Sequence, residues 1–369
     1  MNQKLNHIAS QFALEGEILS AKPLGPGFIN DTYIVETSVC RYILQRKNHI
    51  IFPDVPNMMW NIHLVTQHIK AKVSAEGGDP SREALTLVRR AEPFGTELTK
   101  EDLYYKDEDG NFWAVCTYIE GSVTYEKADS PALAYKGGKG IGKFQTQLSD
   151  FQPVLVETIK GFHNIRHRFN QWDEAIAADK AGRVAELSKE ISWIESRREK
   201  MLDFWKLVET GEIPTRVTHN DTKISNILFD EAGDVLCVID LDTCMSSTSL
   251  NDFGDAIRSY TNTGAEDDKD LTKVSMSMEL FKAYTEGYLS ERKDTLTKTE
   301  LDYLAFAGMY ITYEQVLRFL MDYIDGDLYY KTAYEGHNLV RTWAQYKLLT
   351  SMEEQYEDMK KVVYAASLK

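Results

Sequence analysis

The sequence contains no apolar run that approaches the roughly 18 to 20 residues needed to span a bilayer. Its first residues, MNQKLNHIASQF, lack the basic segment and the following apolar segment of a secretory signal. Cysteine is scarce, and none of Cys40, Cys116, Cys237 and Cys244 belongs to a CxxC pair, so neither a disulfide framework nor a zinc site is indicated. From these absences we expect a cytoplasmic protein that does not act at a membrane.

Basic residues are outnumbered, because 42 lysines and arginines face 57 aspartates and glutamates and leave a formal net charge of -15. Nucleic acids and anionic membrane surfaces require a basic footprint, so we expect neither as the main partner. ATP is not excluded, since a nucleotide meets local backbone donors and a few cations rather than the net charge. With 369 residues, 43% of them hydrophobic, the chain is long enough for two lobes, and we expect a monomer.

The most informative stretch covers residues 216–243, RVTHNDTKISNILFDEAGDVLCVIDLDT. Asp221 and Asn226 lie five positions apart, the interval at which a phosphotransferase loop offers an aspartate to the attacking hydroxyl and an asparagine to a magnesium ion. Asp240 follows an apolar strand predicted at 235–239, after a turn at 231–234. Because Mg²⁺ prefers such oxygen ligands, the pattern predicts that Asp221 faces the acceptor and that Asn226 and Asp240 hold Mg²⁺.

Each of these residues also has an ordinary explanation when taken alone. Asp221 could cap a helix that begins at Thr222, Asn226 could be a polar helix residue, and Asp240 could start a turn. Their order, with a strand between the turn and Asp240, favours phosphotransfer. Asp242, two positions further on, ranks below Asp240 as a metal ligand.

HNDTKISNIL followed by VIDLDT resembles the catalytic and metal-binding segments of the kinase-like superfamily of aminoglycoside phosphotransferases, choline kinases and homoserine kinases. Within it, the chain is most similar to N-acetylhexosamine 1-kinases, which phosphorylate the anomeric hydroxyl of N-acetylglucosamine (GlcNAc) or N-acetylgalactosamine (GalNAc) with ATP. The resemblance implies an α+β, two-lobed protein kinase-like fold. Residues 1–120 would form a small antiparallel-sheet lobe that binds the nucleotide, and residues 121–369 a larger, mainly helical lobe for catalysis and substrate binding.

Strands predicted at 18–24 and 33–37 flank the segment GPGFINDT, residues 25–32. Its glycines would let backbone N–H groups approach phosphates, although a plain hairpin is the alternative. The resemblance implies that this is the nucleotide loop, with Gly25, Gly27 and Asn30 as contacts.

A typical protein kinase carries a phosphate-binding lysine on its third strand and a partner glutamate on the next helix. The strand predicted at 41–47, RYILQRK, has Gln45 at that position, and the helix predicted at 57–70 has no glutamate. Arg46 or Lys47 could supply the cation. Since neighbours on a strand point to opposite faces, at most one of these two shares a face with the phosphates.

Residues 113–121, WAVCTYIEG, read as the last strand of the first lobe running into a hinge. Adenine in such folds is held by main-chain groups, so Tyr118, Ile119 and Glu120 are the candidate contacts. The alternative is an edge strand that ends at Gly121.

In the second lobe, helices are expected at 131–148, 188–209, 273–289, 298–324 and 337–366. Glycines of the first of these helices are expected to allow close packing. His163 and His167 lie four apart in KGFHNIRHRFNQW, residues 160–172, but too few further ligands surround them for a metal site, so a structural or substrate-facing loop is expected. Residues 251–255, NDFGD, are expected to cap a helix and fix the loop.

Acceptor specificity is expected in the last third of the chain, where several stretches resemble the N-acetylhexosamine 1-kinases. The resemblance implies that Arg318 and Tyr329 contact the sugar beside Asp221. An ion pair is the alternative for Arg318, and a place in the core is the alternative for Tyr329.

Two other functions stay open from the sequence. A kinase of the same fold could act on choline, homoserine or an aminoglycoside, and a cationic acceptor would need carboxylates or an aromatic cage. An inactive nucleotide-binding scaffold is the second alternative. Gln45 and the missing helix glutamate favour it, whereas the intact set of Asp221, Asn226 and Asp240 argues against it.

Overall fold

The computed structural model describes residues 2–25 and 29–369, and the chain divides into two compact units. Unit 1 comprises Met1–Thr124, Asp150–Lys160 and Ile227–Ser246. Unit 2 comprises Tyr125–Ser149, Gly161–Asn226 and Ser247–Lys369. The functional division of the chain near residue 120 stays a prediction.

The strands are β1 (Ile18–Pro23), β2 (Asp31–Thr37), β3 (Arg41–Lys47), β4 (Leu87–Val88), β5 (Tyr105–Lys106), β6 (Phe112–Thr117), β7 (Arg216–Thr218), β8 (Ile227–Phe229), β9 (Val235–Val238) and β10 (Met245–Ser247). The helices are α1 (Asn2–Ala9), α2 (Val55–Ala75), α3 (Pro80–Glu83), α4 (Pro131–Gln147), α5 (Ile165–Ala178), α6 (Ser188–Glu195), α7 (Arg198–Glu209), α8 (Ser249–Tyr260), α9 (Met278–Arg292), α10 (Lys298–Asp325), α11 (His337–Glu354) and α12 (Tyr356–Ser367). Among the described residues, no helix has both the length and the apolar character required to cross a membrane.

Unit 1 contains an antiparallel sheet in the order β1-β2-β3-β6-β4, with β5 also paired to β6. Val35, Leu44 and Val115 are buried together with residues of α1, because alternate side chains of a strand reach the same face. A hairpin of β8 and β9 also belongs to this unit, and the Asp230 N–H closes its turn by donating to the Asp234 carbonyl (2.8 Å). The predicted antiparallel sheet and the turn at 231–234 are confirmed.

Unit 2 is mainly helical, and α4 and α9 approach each other closely at glycines. A Cβ atom on Gly138 would lie 2.2 Å from the carbonyl oxygen of Tyr284, and one on Gly287 would lie 2.0 Å from that of Tyr135. No side chain fits at such a distance, so the expected packing role of glycines in α4 is confirmed.

Two predicted helices are each divided in two. The helix expected at 188–209 breaks at residues 196–197 between α6 and α7, where the Arg197 guanidinium donates to the Trp193 carbonyl (3.2 Å) and pairs with Glu353 (2.7 Å). The helix expected at 337–366 breaks at Gln355, whose side-chain amide donates to the carbonyl of Ser351 (3.2 Å). Hydrophobic periodicity continues through both breaks, so the pattern alone did not reveal them.

Candidate active site

In unit 2, the loop that follows β7 is held by carboxylates of α8. The backbone N–H groups of His219 and Asn220 donate to Asp252 at 2.9 and 2.7 Å, and the N–H of Thr222 donates to Asp255 at 2.8 Å. Asn220 has a φ of 65°, a left-handed conformation that needs such support. The orientation of the loop is therefore set by α8.

Asp252 is fully buried, which raises the pKa of its carboxyl, and Gln145 donates a further hydrogen bond to it (2.7 Å). The loop-fixing role expected for residues 251–255 is confirmed. Their expected capping role is wrong, because the hydroxyl of Thr248 caps α8 by accepting from the Leu250 N–H (3.3 Å). The cap lies at the start of the helix, where the first backbone N–H groups lack helical partners.

Asp221 and Asn226 contact each other directly. The Asn226 side-chain amide donates to the Asp221 carbonyl (2.8 Å) and to its carboxylate (3.1 Å). Residues 224–226 form a short 3₁₀ turn rather than part of an α-helix, so the alternative of a helix beginning at Thr222 is wrong. The five-residue spacing thus corresponds to one compact polar loop.

Lys223 supplies the positive charge of this loop, with its Nζ 2.9 Å from a carboxylate oxygen of Asp221. Burial raises the pKa of Asp221, but the charge of Lys223 and the hydrogen bonds from Lys223 and Asn226 outweigh it and lower that pKa below its ordinary value. The Asp221 carboxylate is therefore ionised at neutral pH. The sequence analysis did not identify Lys223. It lies two positions after Asp221, and side chains at that spacing in an extended or irregular segment can point the same way.

Replacing Lys223 with methionine should raise the pKa of Asp221, because the methionine removes the nearest stabilising cation. An aspartate with a lowered pKa stays ionised until the pH falls well into the acid range, so the loss of Lys223 moves the acid limb of kcat/KM to higher pH. The measurement is the pH profile of phosphotransfer, with Lys361→Met as control because Lys361 is exposed and pairs with Asp358 on α12. An acid limb at the same pH in both variants would contradict this.

The predicted acceptor residues of unit 2 lie together. The Arg318 guanidinium lies 5.7, 5.7 and 5.6 Å from the ring centroids of Phe162, Tyr329 and Tyr330. Within the described ranges it makes one hydrogen bond, at 3.4 Å to Gln315, and no ion pair, so the ion-pair alternative is wrong. Tyr329 is 53% exposed, which also makes the core alternative wrong.

Asp322 shapes the segment that carries the two tyrosines. Its carboxylate accepts from the backbone N–H groups of Leu328, Tyr329 and Tyr330 at 2.9, 2.8 and 3.0 Å. Asn338 donates to the same carboxylate at 2.8 Å. The side chain of Asp322 is thereby satisfied within the protein and fixes the segment beside Arg318.

In unit 1, Lys47 is the buried cation of β3. Its Nζ lies 2.7 Å from Asp242 and 2.7 Å from the side-chain oxygen of Gln45, and it is 4% exposed. Arg46 points to the other face and pairs with Asp31 at the surface. Lys47 is therefore the cation on the same face as Gln45, and its partner comes from the segment after β9 instead of from α2.

Asn30 also contacts the partner of Lys47, because its amide NH₂ donates to Asp242 (2.7 Å). Its side-chain oxygen accepts from the Asn48 N–H (3.0 Å). Gly25 has a φ of 68°, and among the described residues no atom lies within 4 Å of the position of a Cβ. Gly27 lies outside the described residues. A phosphate contact by this loop stays a prediction.

The predicted hinge residues directly follow β6. The Tyr118 N–H donates to the Arg41 carbonyl (3.1 Å), and the Glu120 carbonyl accepts from Arg82 (2.8 Å). Ile119 is buried, whereas the Glu120 carboxylate pairs with Arg41 at the surface. Adenine binding by these three residues stays a prediction.

Both predicted metal ligands have suitable oxygen atoms. Asn226 directs its NH₂ to two groups of Asp221 that only accept hydrogen bonds, and no hydrogen bond in the described ranges uses its side-chain oxygen. Asp240 follows β9 with a left-handed backbone (φ 59°) and a partly exposed side chain, while both oxygens of Asp242 are engaged by Lys47 and Asn30. Asn226 belongs to unit 2 and Asp240 to unit 1, and their joint use stays a prediction.

No cluster of three or more His, Cys, Asp or Glu residues suited to a metal occurs in the described part of the chain.

Residues 20–288, more than two thirds of the chain, match the sequence profile of the Phosphotransferase enzyme family (APH). The chain belongs to this family. Phosphotransfer is accordingly the chemistry of the family, and the loop around Asp221 lies within the matched residues.

Solved structures show the same architecture. A microcompartment-associated aminopropanol kinase is 15% identical, with 97% of this chain and 98% of that chain covered and a TM-score of 0.63. Amicoumacin kinase, solved with AMP-PNP, Ca²⁺ and Ami, is 14% identical. The match covers 96% of this chain and 93% of that chain, with a TM-score of 0.58. Choline kinase LicA from Streptococcus pneumoniae is 16% identical. The match covers 91% of this chain and 94% of that chain, with a TM-score of 0.54. At these identities the likeness shows the fold alone, and the predicted α+β kinase-like fold is confirmed.

Proposed function

We propose that this phosphotransferase transfers the γ-phosphoryl group of ATP to the anomeric hydroxyl of an N-acetylhexosamine, GlcNAc or GalNAc. The family membership supports phosphotransfer, and the complex of amicoumacin kinase with AMP-PNP supports a nucleoside triphosphate as the donor. The choice of a neutral sugar rests on the environment of Arg318.

Arg318 occupies the aromatic cluster in which a cationic acceptor would otherwise bind. Choline and aminoglycosides are cations, and rings around a binding pocket attract them through the π face. Here the three rings of Phe162, Tyr329 and Tyr330 surround a guanidinium that belongs to the protein. A second cation would be repelled, whereas hydroxyl and acetamide oxygens can accept hydrogen bonds from the unused N–H groups of Arg318.

Asp221 is the proposed base, since its carboxylate is kept ionised beside Lys223. An anomeric hydroxyl is a hemiacetal and more acidic than an ordinary alcohol, so a carboxylate suffices to accept or orient its proton. Lys47 is the candidate for a phosphate contact, because it is the buried cation of β3.

The oxygen donors of Asn226 and Asp240 fit Mg²⁺ and would hold it. When bound, the ion neutralises charge on the phosphates.

The test is ³¹P NMR of the purified protein with MgATP and each of GlcNAc, GalNAc, choline, homoserine and an aminoglycoside. We expect a new phosphate resonance coupled to the anomeric proton with at least one of the two sugars, and ATP left intact with choline and with the aminoglycoside.

Phosphorylation of choline or of the aminoglycoside, with both sugars untouched, would overturn the substrate proposal and the argument from Arg318. Nucleotide binding without transfer to any of the five acceptors would favour an inactive scaffold.

A further inference from the structure

His163 lies in unit 2, just before α5, and joins two functional parts of that unit. Its Nδ1 is 2.6 Å from a carboxylate oxygen of Glu314, and its Nε2 is 3.2 Å from the carbonyl oxygen of Asn220. Glu314 is on α10, one turn before Arg318, and Asn220 directly precedes Asp221. One imidazole thus links the helix that carries Arg318 to the loop that carries Asp221.

The conformation of His163 is unfavourable unless its neighbours hold it. The residue has a φ of 57°, which a non-glycine residue seldom adopts, and its side chain is buried. The hydroxyl of Tyr310, also on α10, donates to the His163 carbonyl at 2.8 Å and helps to maintain this backbone. Strain of this kind persists where the surrounding structure determines it and is concentrated at functional sites.

Both ring nitrogens of His163 face groups that accept hydrogen bonds. A carbonyl oxygen can only accept, and the Glu314 carboxylate accepts as well when it is ionised. Burial would raise the pKa of Glu314, but His163, Arg168 and Arg318 hold it well below its ordinary value. Glu314 is therefore ionised, and Nε2 of His163 carries the hydrogen of its bond to the Asn220 carbonyl.

We infer that His163 is a positioning residue, which holds the Asn220 carbonyl and so keeps Asp221 in a fixed place relative to α10. Asp252 and Asp255 bind the N–H groups of this loop, whereas His163 binds a carbonyl on it, so its hydrogen bond adds a constraint that α8 does not supply. The inference rests on the proposed function in one respect, namely that Asp221 faces the acceptor hydroxyl.

Two substitutions separate the two hydrogen bonds of His163. In His163→Gln the side-chain NH₂ replaces Nε2 and can still donate to Asn220, while the contact with Glu314 is lost. In His163→Asn the NH₂ replaces Nδ1 and can still donate to Glu314, while the donor to Asn220 is lost. Asparagine also tolerates a positive φ better than glutamine, so it should give the more stable protein of the two.

We expect His163→Asn to lower kcat by up to about 100-fold, the effect of a displacement near 1 Å at the reacting group, with the KM for ATP unchanged. His163→Gln should retain most of the kcat even though it is the less stable variant. The measurements are kcat and KM for phosphotransfer and the thermal midpoint of each variant. Glu209→Gln is the control, because Glu209 pairs with Arg166 of α5 at the surface and should leave all three values unchanged.

A kcat of His163→Asn equal to or above that of His163→Gln would overturn the inference, since activity would then follow stability alone. Imidazole ¹⁵N NMR of the free wild-type protein gives a test that does not depend on the acceptor. A hydrogen on Nε2 of His163 is expected, and an Nε2 without a hydrogen would overturn the inference. If the wild-type protein phosphorylates neither sugar, the substrate proposal fails while this NMR result still decides whether His163 donates to the Asn220 carbonyl.

Discussion

Replacing Asp221 with asparagine is expected to lower kcat by roughly 10²- to 10⁴-fold, the contribution of a well-placed general base. Asparagine has nearly the same shape, and its oxygen can still accept from Lys223 and Asn226, so the loop should keep its structure. What is lost is the negative charge that accepts or orients the proton of the acceptor hydroxyl. The measurement is the rate of phosphotransfer, with ATP affinity and thermal stability determined on the same preparation.

Asp358→Asn is the matched control for this substitution, because Asp358 is an exposed aspartate of α12 whose partner is Lys361. It should leave rate, affinity and stability unchanged. Turnover of Asp221→Asn close to that of the wild-type protein would remove Asp221 from the proposed role. A large loss of thermal stability would show instead that the carboxylate supports the loop.

Replacing Lys47 with methionine should destabilise unit 1 by about 3 to 5 kcal/mol, the usual cost of removing one partner of a buried ion pair. The side chains of Lys47 and Asp242 are 4% and 5% exposed, so methionine leaves a carboxylate in the interior without its cation. Arg46→Met is the control on the same strand. Arg46 pairs with Asp31 at a half-exposed site, where such pairs contribute about 1 kcal/mol or less. The measurement is denaturant unfolding followed by a signal from unit 1.

The double variant Lys47→Met/Asp242→Leu separates the structural role of Lys47 from a role in catalysis. Removing both charges should recover much of the lost stability, because no unpaired charge remains buried. A stable double variant that does not transfer phosphate would then support a phosphate contact by Lys47. A cost for Lys47→Met no larger than that for Arg46→Met would contradict the buried pair.

The sequence by itself determined those features of the molecule that depend on local spacing. The spacing of five positions from Asp221 to Asn226 brings two side chains together within one short loop, whatever surrounds it. The two-residue period of β3 required Arg46 and Lys47 to point to opposite faces. The glycines of α4 indicated close packing because nothing larger fits between two backbones.

Only the tertiary structure decided which partners these residues have. Lys47 meets Asp242 across 195 positions, and His163 meets Glu314 across 151. The aromatic surroundings of Arg318 likewise come from the segment after α10 and from residue 162. Sequence periodicity states which face of an element a side chain occupies, but it does not state which distant element covers that face. Packing of the whole chain makes that choice, because each buried charge must find a partner wherever the fold places one.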